Sequence, residues 1–141
     1  MLNCILLLTK QNKVDYKKLG QYGEDIACKY LQEKGYRILE RNFYKESSAV
    51  SKGEIDIICK KGKVIFFVEV KTSVPPRRDG SFSPEDRVNF QKQRKLKNLS
   101  LIWLSKNKIS FESPWQIDVI SVVANVDKKT AKIRHFQNAV E

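Results

Sequence analysis

The chain has 141 residues and a formal net charge of +11 at neutral pH, with 41% hydrophobic and 30% charged residues. That length suits one hydrophobic core, and the composition is typical of a folded domain rather than a disordered chain. The positive charge favours a polyanionic partner, either nucleic acid or an anionic membrane, although a lysine-rich solvated surface is also common. No amphipathic basic helix with large apolar anchors supports the membrane alternative, so we expect no membrane partner.

The few cysteine and histidine residues argue against zinc sites and disulfide frameworks and limit any nucleophilic triad. The three cysteines, Cys4, Cys28 and Cys59, form no CxxC pair, so the sequence supports neither a zinc site nor a disulfide framework. Reduced thiols indicate a cytoplasmic protein. His135 is the only histidine, so any nucleophilic triad has a single imidazole to draw on.

The chain is expected to consist of an N-terminal extension, residues 1–18, and one domain, residues 19–141. Ile5 to Leu8 is an apolar run too short to span a bilayer, and it fits either an appended strand or a disordered segment. Tyr16 to Lys34 predicts an amphipathic helix, because apolar residues recur at spacings of three and four. Glu24 lies at the rim of the apolar stripe, where it either faces solvent or enters an adjoining cleft.

Residues 53–72, GEIDIICKKGKVIFFVEVKT, predict a tight β-hairpin that turns at Lys61-Gly62. The facing residues are then Lys60 with Lys63, Asp56 with Phe67, and Glu54 with Glu69. Side chains alternate between the two faces of a strand. One face of the predicted hairpin therefore carries four charged residues, Glu54, Asp56, Glu69 and Lys71. Three carboxylates and an ammonium on a face that also carries apolar residues indicate a site for chemistry.

A second helix is predicted from Ser83, in the capping sequence Ser-Pro-Glu-Asp, to about Asn107. Its apolar stripe comprises Val88, Leu96, Leu99, Ile102 and Trp103. Lys92 and Lys95 fall on the same angular face, where they either face a cleft or extend their apolar stems towards water. The segment from Arg77 to Lys108 has nine Lys or Arg against three Asp or Glu, which is more than half of the net charge.

Further strands are predicted at Tyr36 to Phe43 and at Trp115 to Ala124, and the C-terminal segment is expected to form a short strand or a turn. The order α-β-β-β-α-β combines an antiparallel hairpin with a crossover helix that favours a parallel last strand. The sequence therefore predicts an α/β fold with a mixed sheet flanked by helices.

Carboxylate oxygens in this arrangement suit a hard divalent cation. Asp56 and Glu69 could supply two ligands for Mg²⁺ or Mn²⁺, and Glu24 could complete the metal shell. Bound metal helps to generate hydroxide and stabilises charge on a phosphorus transition state. Lys71, two residues after Glu69, could orient water or neutralise phosphate.

The segments LGQYGEDIACKYLQEKGYRILERNF, GEIDIIC, VIFFVEVKT, QKQRKL and IDVISV resemble the bacterial YraN-like family, which is related to Holliday junction resolvases. The similarity runs from Leu19 to Phe136 and implies the restriction-endonuclease-like fold of the PD-(D/E)xK nuclease superfamily. It further implies a catalytic set, namely Glu24, Asp56, Glu69, Lys71 and Gln93, and a metal bound by Asp56, Glu69 and Glu24. Ile55 stands where the superfamily name implies proline, but GEID is usual in this branch.

Two functions remain open from the sequence. The first is a magnesium-dependent endonuclease that hydrolyses phosphodiester bonds in structured or damaged DNA; the second is a non-catalytic nucleic-acid-binding module with the same fold. Clustered carboxylates favour the enzyme, because a binding module needs positive charge there instead. The residues expected to contact nucleic acid are Arg77, Arg78, Lys92, Arg94 and Lys95. By resemblance alone, a homodimer is also expected.

Overall fold

The computed structural model describes residues 9–10, 13–44, 53–74, 88–125 and 128–140. Its elements in chain order are β1 (Thr9–Lys10), β2 (Lys13–Val14), α1 (Tyr16–Glu33), β3 (Arg37–Tyr44), β4 (Glu54–Lys61), β5 (Val64–Ser73), α2 (Phe90–Lys106), β6 (Trp115–Asn125) and β7 (Thr130–Val140). The strands β1 and β2 pair only with each other, and the other strands of the described chain form one sheet.

That sheet has five strands in the order β3-β4-β5-β6-β7. Its neighbours are antiparallel except for β5 and β6, which run parallel and are joined through α2. A parallel pair needs such a crossover, whereas the antiparallel pairs are joined by short turns or loops. The predicted fold class is confirmed: this is a mixed α/β domain, consistent with a restriction-endonuclease-like fold.

The β4–β5 hairpin differs in register from the sequence prediction. Lys61 pairs with Val64, so Gly62-Lys63 forms the turn instead of Lys61-Gly62, and Lys60 lies opposite Ile65 instead of Lys63. Gly62 has a φ of +60°, which glycine adopts without the steric cost that another residue would pay. The shift amounts to two residues, and an even shift leaves every side chain on its predicted face.

The two helices cover opposite faces of the sheet. Against one face, α2 packs a core that contains Ile58, Phe67, Leu96 and Trp103. Against the other face, α1 packs a second core, whose members include Ala27, Leu31, Ile57, Cys59, Val68 and Ile120. Burial of the apolar stripes of both helices accounts for this three-layer arrangement.

The first helix begins where the sequence predicted, at Tyr16, whereas the second begins later than expected, at Phe90. Asp15 caps α1 by accepting hydrogen bonds from the backbone N–H groups of Lys17 and Lys18, so the helix begins inside the predicted extension. Asn89 has an extended backbone and caps α2 through the N–H of Lys92. The prediction of one helix running on from Ser83 is therefore wrong, and Ser83 itself lies outside the described residues.

The C-terminal segment forms a longer strand than the sequence indicated. β7 has 11 residues and occupies one edge of the sheet, with its register against β6 interrupted between Ile117 and Val119. None of the described helices combines the length and the apolar character that crossing a membrane requires.

Candidate functional site

The site begins where the two strands of the hairpin stop pairing. The last backbone pair of the β4–β5 ladder is Ile57 with Val68. Just beyond it, the carboxylate of Asp56 accepts a hydrogen bond of 2.7 Å from the backbone N–H of Val70. Asp56 is only 7% exposed, so this side chain is held in place at the mouth of the hairpin.

Glu24 approaches Asp56 from α1, on the far side of the sheet, because the helix lies very close to β5. A Cβ atom on Gly23 would lie 1.8 Å from the hydroxyl oxygen of Thr72, so only glycine permits this separation. Arg41 on β3 lies 3.7 Å from the Glu24 carboxylate and 2.8 Å from that of Asp25. The Glu24 side chain is thus mostly shielded from solvent, at 16% exposure, and lies beside two carboxylates of β4, those of Glu54 and Asp56.

Carboxylates crowd together at this point. Oxygen atoms of Glu24, Glu54 and Asp56 all lie within 4.8 Å of one another. Burial, followed by the charge of Glu69, raises the pKa of Asp56 to about 8. Burial and then the charge of Glu54 also raise the pKa of Glu24, which Arg41 opposes. The cluster therefore holds more negative charge than its protein neighbours compensate.

The charge of Glu69 is compensated by a lysine of α2. Its side chain, 4% exposed, forms an ion pair with the ammonium of Lys92 on α2. A cavity of about 410 Å³ opens here, with Glu54, Asp56 and Glu69 on one wall and Lys92 and Lys95 on the other. Both lysines line this cavity, and both also reach solvent, since Lys95 is exposed and the Lys92 side chain is 41% exposed.

The remaining predicted residues that the structure describes are not among those that line this cavity. Lys71 is half-buried on the same strand face as Glu69, and opposite Ser121 of β6. Gln93 donates a hydrogen bond to the carbonyl of Val88, and Arg94 is exposed; among the described residues, neither lines the cavity. Arg77 and Arg78 lie outside the described residues, so their expected contacts with phosphate stay predictions.

Three polar residues that line the cavity were missed or given a lesser role, namely Glu54, Asn89 and Gln91. Glu54 shares the predicted face with Asp56, and that shared face was the available signal. Asn89 is the cap of α2, and Gln91 lies in the first turn of that helix. Their position depends on where that helix begins. The sequence prediction placed this start too early, at the Ser-Pro-Glu-Asp capping sequence that begins at Ser83.

The other buried polar cluster lies on the α1 side of the sheet. Asp118 is fully buried and accepts hydrogen bonds from His135 Nε2 at 2.7 Å, Gln116 Nε2 at 2.8 Å and the backbone N–H of Asn138 at 2.8 Å. The remaining nitrogen of His135 lies 3.3 Å from the Tyr30 hydroxyl. The only histidine of the chain is therefore tied into a satisfied network, away from the acidic cavity.

The protein is thus a mixed α/β domain with an acidic cavity at the mouth of its β4–β5 hairpin. Comparison with known proteins identifies its family. Residues 23–122 match the model of the uncharacterised protein family UPF0102. The chain belongs to this family, and the predicted membership of the YraN-like group is confirmed.

Relatives match over almost their whole length. A UPF0102 protein of Geotalea uraniireducens is 37% identical over 95% of this chain and 98% of its own. Those of Syntrophomonas wolfei and Thermodesulfovibrio yellowstonii are 40% and 41% identical over 87% and 86% of this chain, and over 97% and 95% of their own. Their names assign no activity.

One solved structure is more distantly similar, that of Pyrococcus furiosus SfsA in complex with Ca²⁺. It is 17% identical, with a TM-score of 0.39, and the match covers 91% of this chain and 66% of that one. A likeness at this level supports no argument about fold or function.

Proposed function

We propose that the protein is a metal-dependent endonuclease that hydrolyses phosphodiester bonds in structured or damaged DNA. The observation that carries the proposal is the cavity itself, in which buried carboxylates face a wall of lysines. Lysines attract a phosphate backbone, whereas carboxylates repel it, so carboxylates there are useful only if a cation intervenes. A surface that merely bound nucleic acid would have no need of them.

The carboxylates fit a hard divalent cation. Glu24, Glu54 and Asp56 offer oxygen donors close enough to share one ion, and burial leaves the charge of Asp56 poorly compensated. Asp56, Glu24 and Glu69 would hold Mg²⁺ or Mn²⁺ as the family resemblance implies, with Glu54 as a further carboxylate. Such an ion, when bound, supplies a water of lowered pKa and positive charge near the phosphate.

The basic side chains would divide the remaining work. Lys95 and Lys92 line the cavity wall formed by α2 and would contact phosphates of the bound strand. Lys92 has a second role, because its ammonium compensates Glu69. Lys71, which projects from the same face as Glu69, would orient the attacking water or neutralise the phosphate.

The alternative is a nucleic-acid-binding module without catalysis. The ion pair between Lys92 and Glu69 is the observation that favours it, because this pair compensates one of the carboxylates without any metal. The two functions differ in what they require of Asp56: hydrolysis requires its carboxylate, whereas binding to phosphate does not.

A cleavage assay separates the two. Purified protein is incubated with branched, flapped, single-stranded and duplex DNA, in Mg²⁺, Mn²⁺ or a chelator, beside Asp56→Asn and Lys71→Ala. We expect cutting only with metal and a loss of about a hundredfold or more in each variant. Lys63→Ala, in the exposed turn at the other end of the β4–β5 hairpin, serves as a control that retains cutting.

Two outcomes would count against the enzyme. Tight DNA binding without cutting under any metal condition would favour the binding module. Cutting of equal strength in wild type, Asp56→Asn and Lys71→Ala would identify a contaminating nuclease.

A further inference from the structure

The edge strand β7 carries an aromatic and basic strip on the same sheet face as the acidic cavity. Strand register shows this directly: Glu69 of β5 pairs with Val119 of β6, and Val119 pairs with Phe136 of β7. Two residues further along the same face, Lys71 of β5 pairs with Ser121 of β6, and Ser121 pairs with Arg134 of β7. Residues paired in register share one face of a sheet, so β7 continues the site face outwards.

A third set of paired residues adds Lys132, so the strip consists of Lys132, Arg134 and Phe136. Ser73 pairs with Val123, and Val123 pairs with Lys132. The intervening residue His135 points to the opposite face, where it contacts Tyr30 of α1. This alternation confirms the face assignment independently of the register.

The strip is accessible. Lys132 and Arg134 are exposed, and Phe136 is 45% exposed although it is a large apolar side chain. Arg134 also interacts elsewhere within the protein. Neighbouring strands lie about 4.8 Å apart, so Phe136 is about 10 Å across the sheet from Glu69. A bound strand could therefore touch the strip and the cavity at the same time.

We propose that Lys132, Arg134 and Phe136 form a binding site for an unpaired nucleotide next to the phosphate held at the cavity, which gives the enzyme a preference for DNA with single-stranded character. An exposed aromatic ring stacks on a base, and bases are available for such stacking only where they are unpaired. The two cations bind the adjoining phosphates. The preference rests on the proposed nuclease function, and it defines the substrate class more narrowly.

Charge argues against the other occupant that an edge strand invites, a second copy of the same strand. From Thr130 to Val140 the sequence contains Lys132 and Arg134 and no acidic residue. Two such strands paired edge to edge would bring cations together, and like charges on paired strands are destabilising. A polyanion complements this strip, whereas a second copy does not.

The test measures DNA binding without divalent metal, so that it is independent of cleavage. Fluorescence anisotropy at fixed salt compares single-stranded, flapped and duplex oligonucleotides. Phe136→Ala should weaken binding to the first two by about fivefold to tenfold, and to duplex by less than twofold. Phe136→Trp should retain binding, and its fluorescence should be quenched when a base stacks on it.

Phe111→Ala is the matched control. Phe111 is 56% exposed and precedes β6, at the end of the sheet opposite the cavity, so its replacement should change no affinity. Lys132→Ala should weaken binding to all DNA and lower the salt slope by about 1. Thermal melts establish that each variant is folded.

Three results would overturn the proposal: equal effects of Phe136→Ala and Phe111→Ala, equal weakening of single-stranded and duplex binding, or loss of a dimer in Phe136→Ala with unchanged DNA affinity. The last result would assign β7 to contact between copies. If wild type cuts no DNA but Phe136→Ala still weakens single-strand binding selectively, the nuclease proposal fails and the binding site stands. If wild type cuts DNA and Phe136→Ala binds single-stranded DNA normally, the nuclease proposal stands and the proposed binding site on β7 fails.

Discussion

Two buried aspartates of this sheet have opposite surroundings. Asp118 accepts three hydrogen bonds, from an imidazole, a side-chain amide and a backbone N–H. Asp56 accepts one from the backbone and otherwise faces carboxylates, among them Glu24 and Glu69. Both are nearly inaccessible to solvent, at 0% and 7% exposure. Burial alone therefore does not tell a structural acid from a functional one.

The difference lies in what compensates each charge. Donors from three different positions satisfy Asp118, and its hydrogen bonds fasten the edge strand β7 to β6. Among the described residues Asp56 has one such donor, the backbone N–H of Val70, while burial and then the charge of Glu69 raise its pKa. Groups left in such a state are concentrated at functional sites, where a ligand or a metal ion supplies the missing compensation.

The largest expected effect comes from replacing each aspartate by asparagine. In Asp118→Asn, the amide cannot accept from all of the present donors, so the free energy of unfolding should fall by about 3–5 kcal/mol. In Asp56→Asn, removal of carboxylate repulsion should raise it at pH 8. Urea denaturation at pH 8 measures both. A similar loss in both variants would remove the distinction between the two acids.

The pH dependence of stability sharpens the same comparison. The pKa of Asp56 is raised from 3.8 to about 8 in the folded protein, so the folded state retains a proton that the unfolded state releases. Stability from this group is fully present below about pH 4 and is lost as the pH rises to about 8, by up to about 1.4 kcal/mol per unit.

Urea denaturation of wild type and Asp56→Asn across this pH range isolates the contribution. The difference in unfolding free energy between them should grow with pH in favour of the variant, and a saturating divalent cation should reduce it. A difference independent of pH would mean that Asp56 is already compensated in the folded protein.

A smaller effect is expected at the lysine wall. Lys92 pairs with Glu69, whereas Lys95 lines the same cavity without an ion pair to any described carboxylate. Lys92→Met should strengthen Mn²⁺ binding by about tenfold, because a competing cation is removed, while Lys95→Met should change it by less than about threefold. Isothermal titration calorimetry measures both affinities. If the two variants gain equally, the specific pairing with Glu69 plays no part in cation binding.

The last comparison concerns two glycines of α1. Gly23→Ala places a Cβ atom against Thr72, and it should cost about 1–3 kcal/mol and displace Glu24. Gly20 has no heavy atom within 4 Å of the same position, so Gly20→Ala should stabilise the helix by about 0.5–1 kcal/mol. Thermal unfolding of the two variants provides the check. A neutral Gly23→Ala would indicate that α1 can move away from β5 without loss.

Local patterns predicted much of the fold because they depend on short spacings. The apolar stripe of α1, the alternation along β4 and β5, and the position of Lys92 beside Leu96 all follow from helix or strand periodicity. The hairpin register was wrong by two residues, since either dipeptide around Gly62 could form the turn. The face assignment survived only because the error was even.

Other features were hidden from local reasoning. The start of α2 at Phe90 depends on Asn89, whose capping signal competes with a stronger one upstream. Glu54 is missing from the predicted catalytic and metal-binding sets because nothing local indicates that it would meet Glu24 from another element. The strip on β7 could not be inferred, because its alignment with Glu69 passes through β6 and depends on two successive registers.

The sequence by itself determined the mixed α/β class, the family, and the face that carries Asp56, Glu69 and Lys71, because these depend on periodicity and on motif order. The tertiary structure decided which acids meet and what compensates them. It brings Glu24 across from α1, sets Lys92 against Glu69, and ties His135 to Asp118. Such contacts arise from the packing of distant segments, so no spacing along the chain records them.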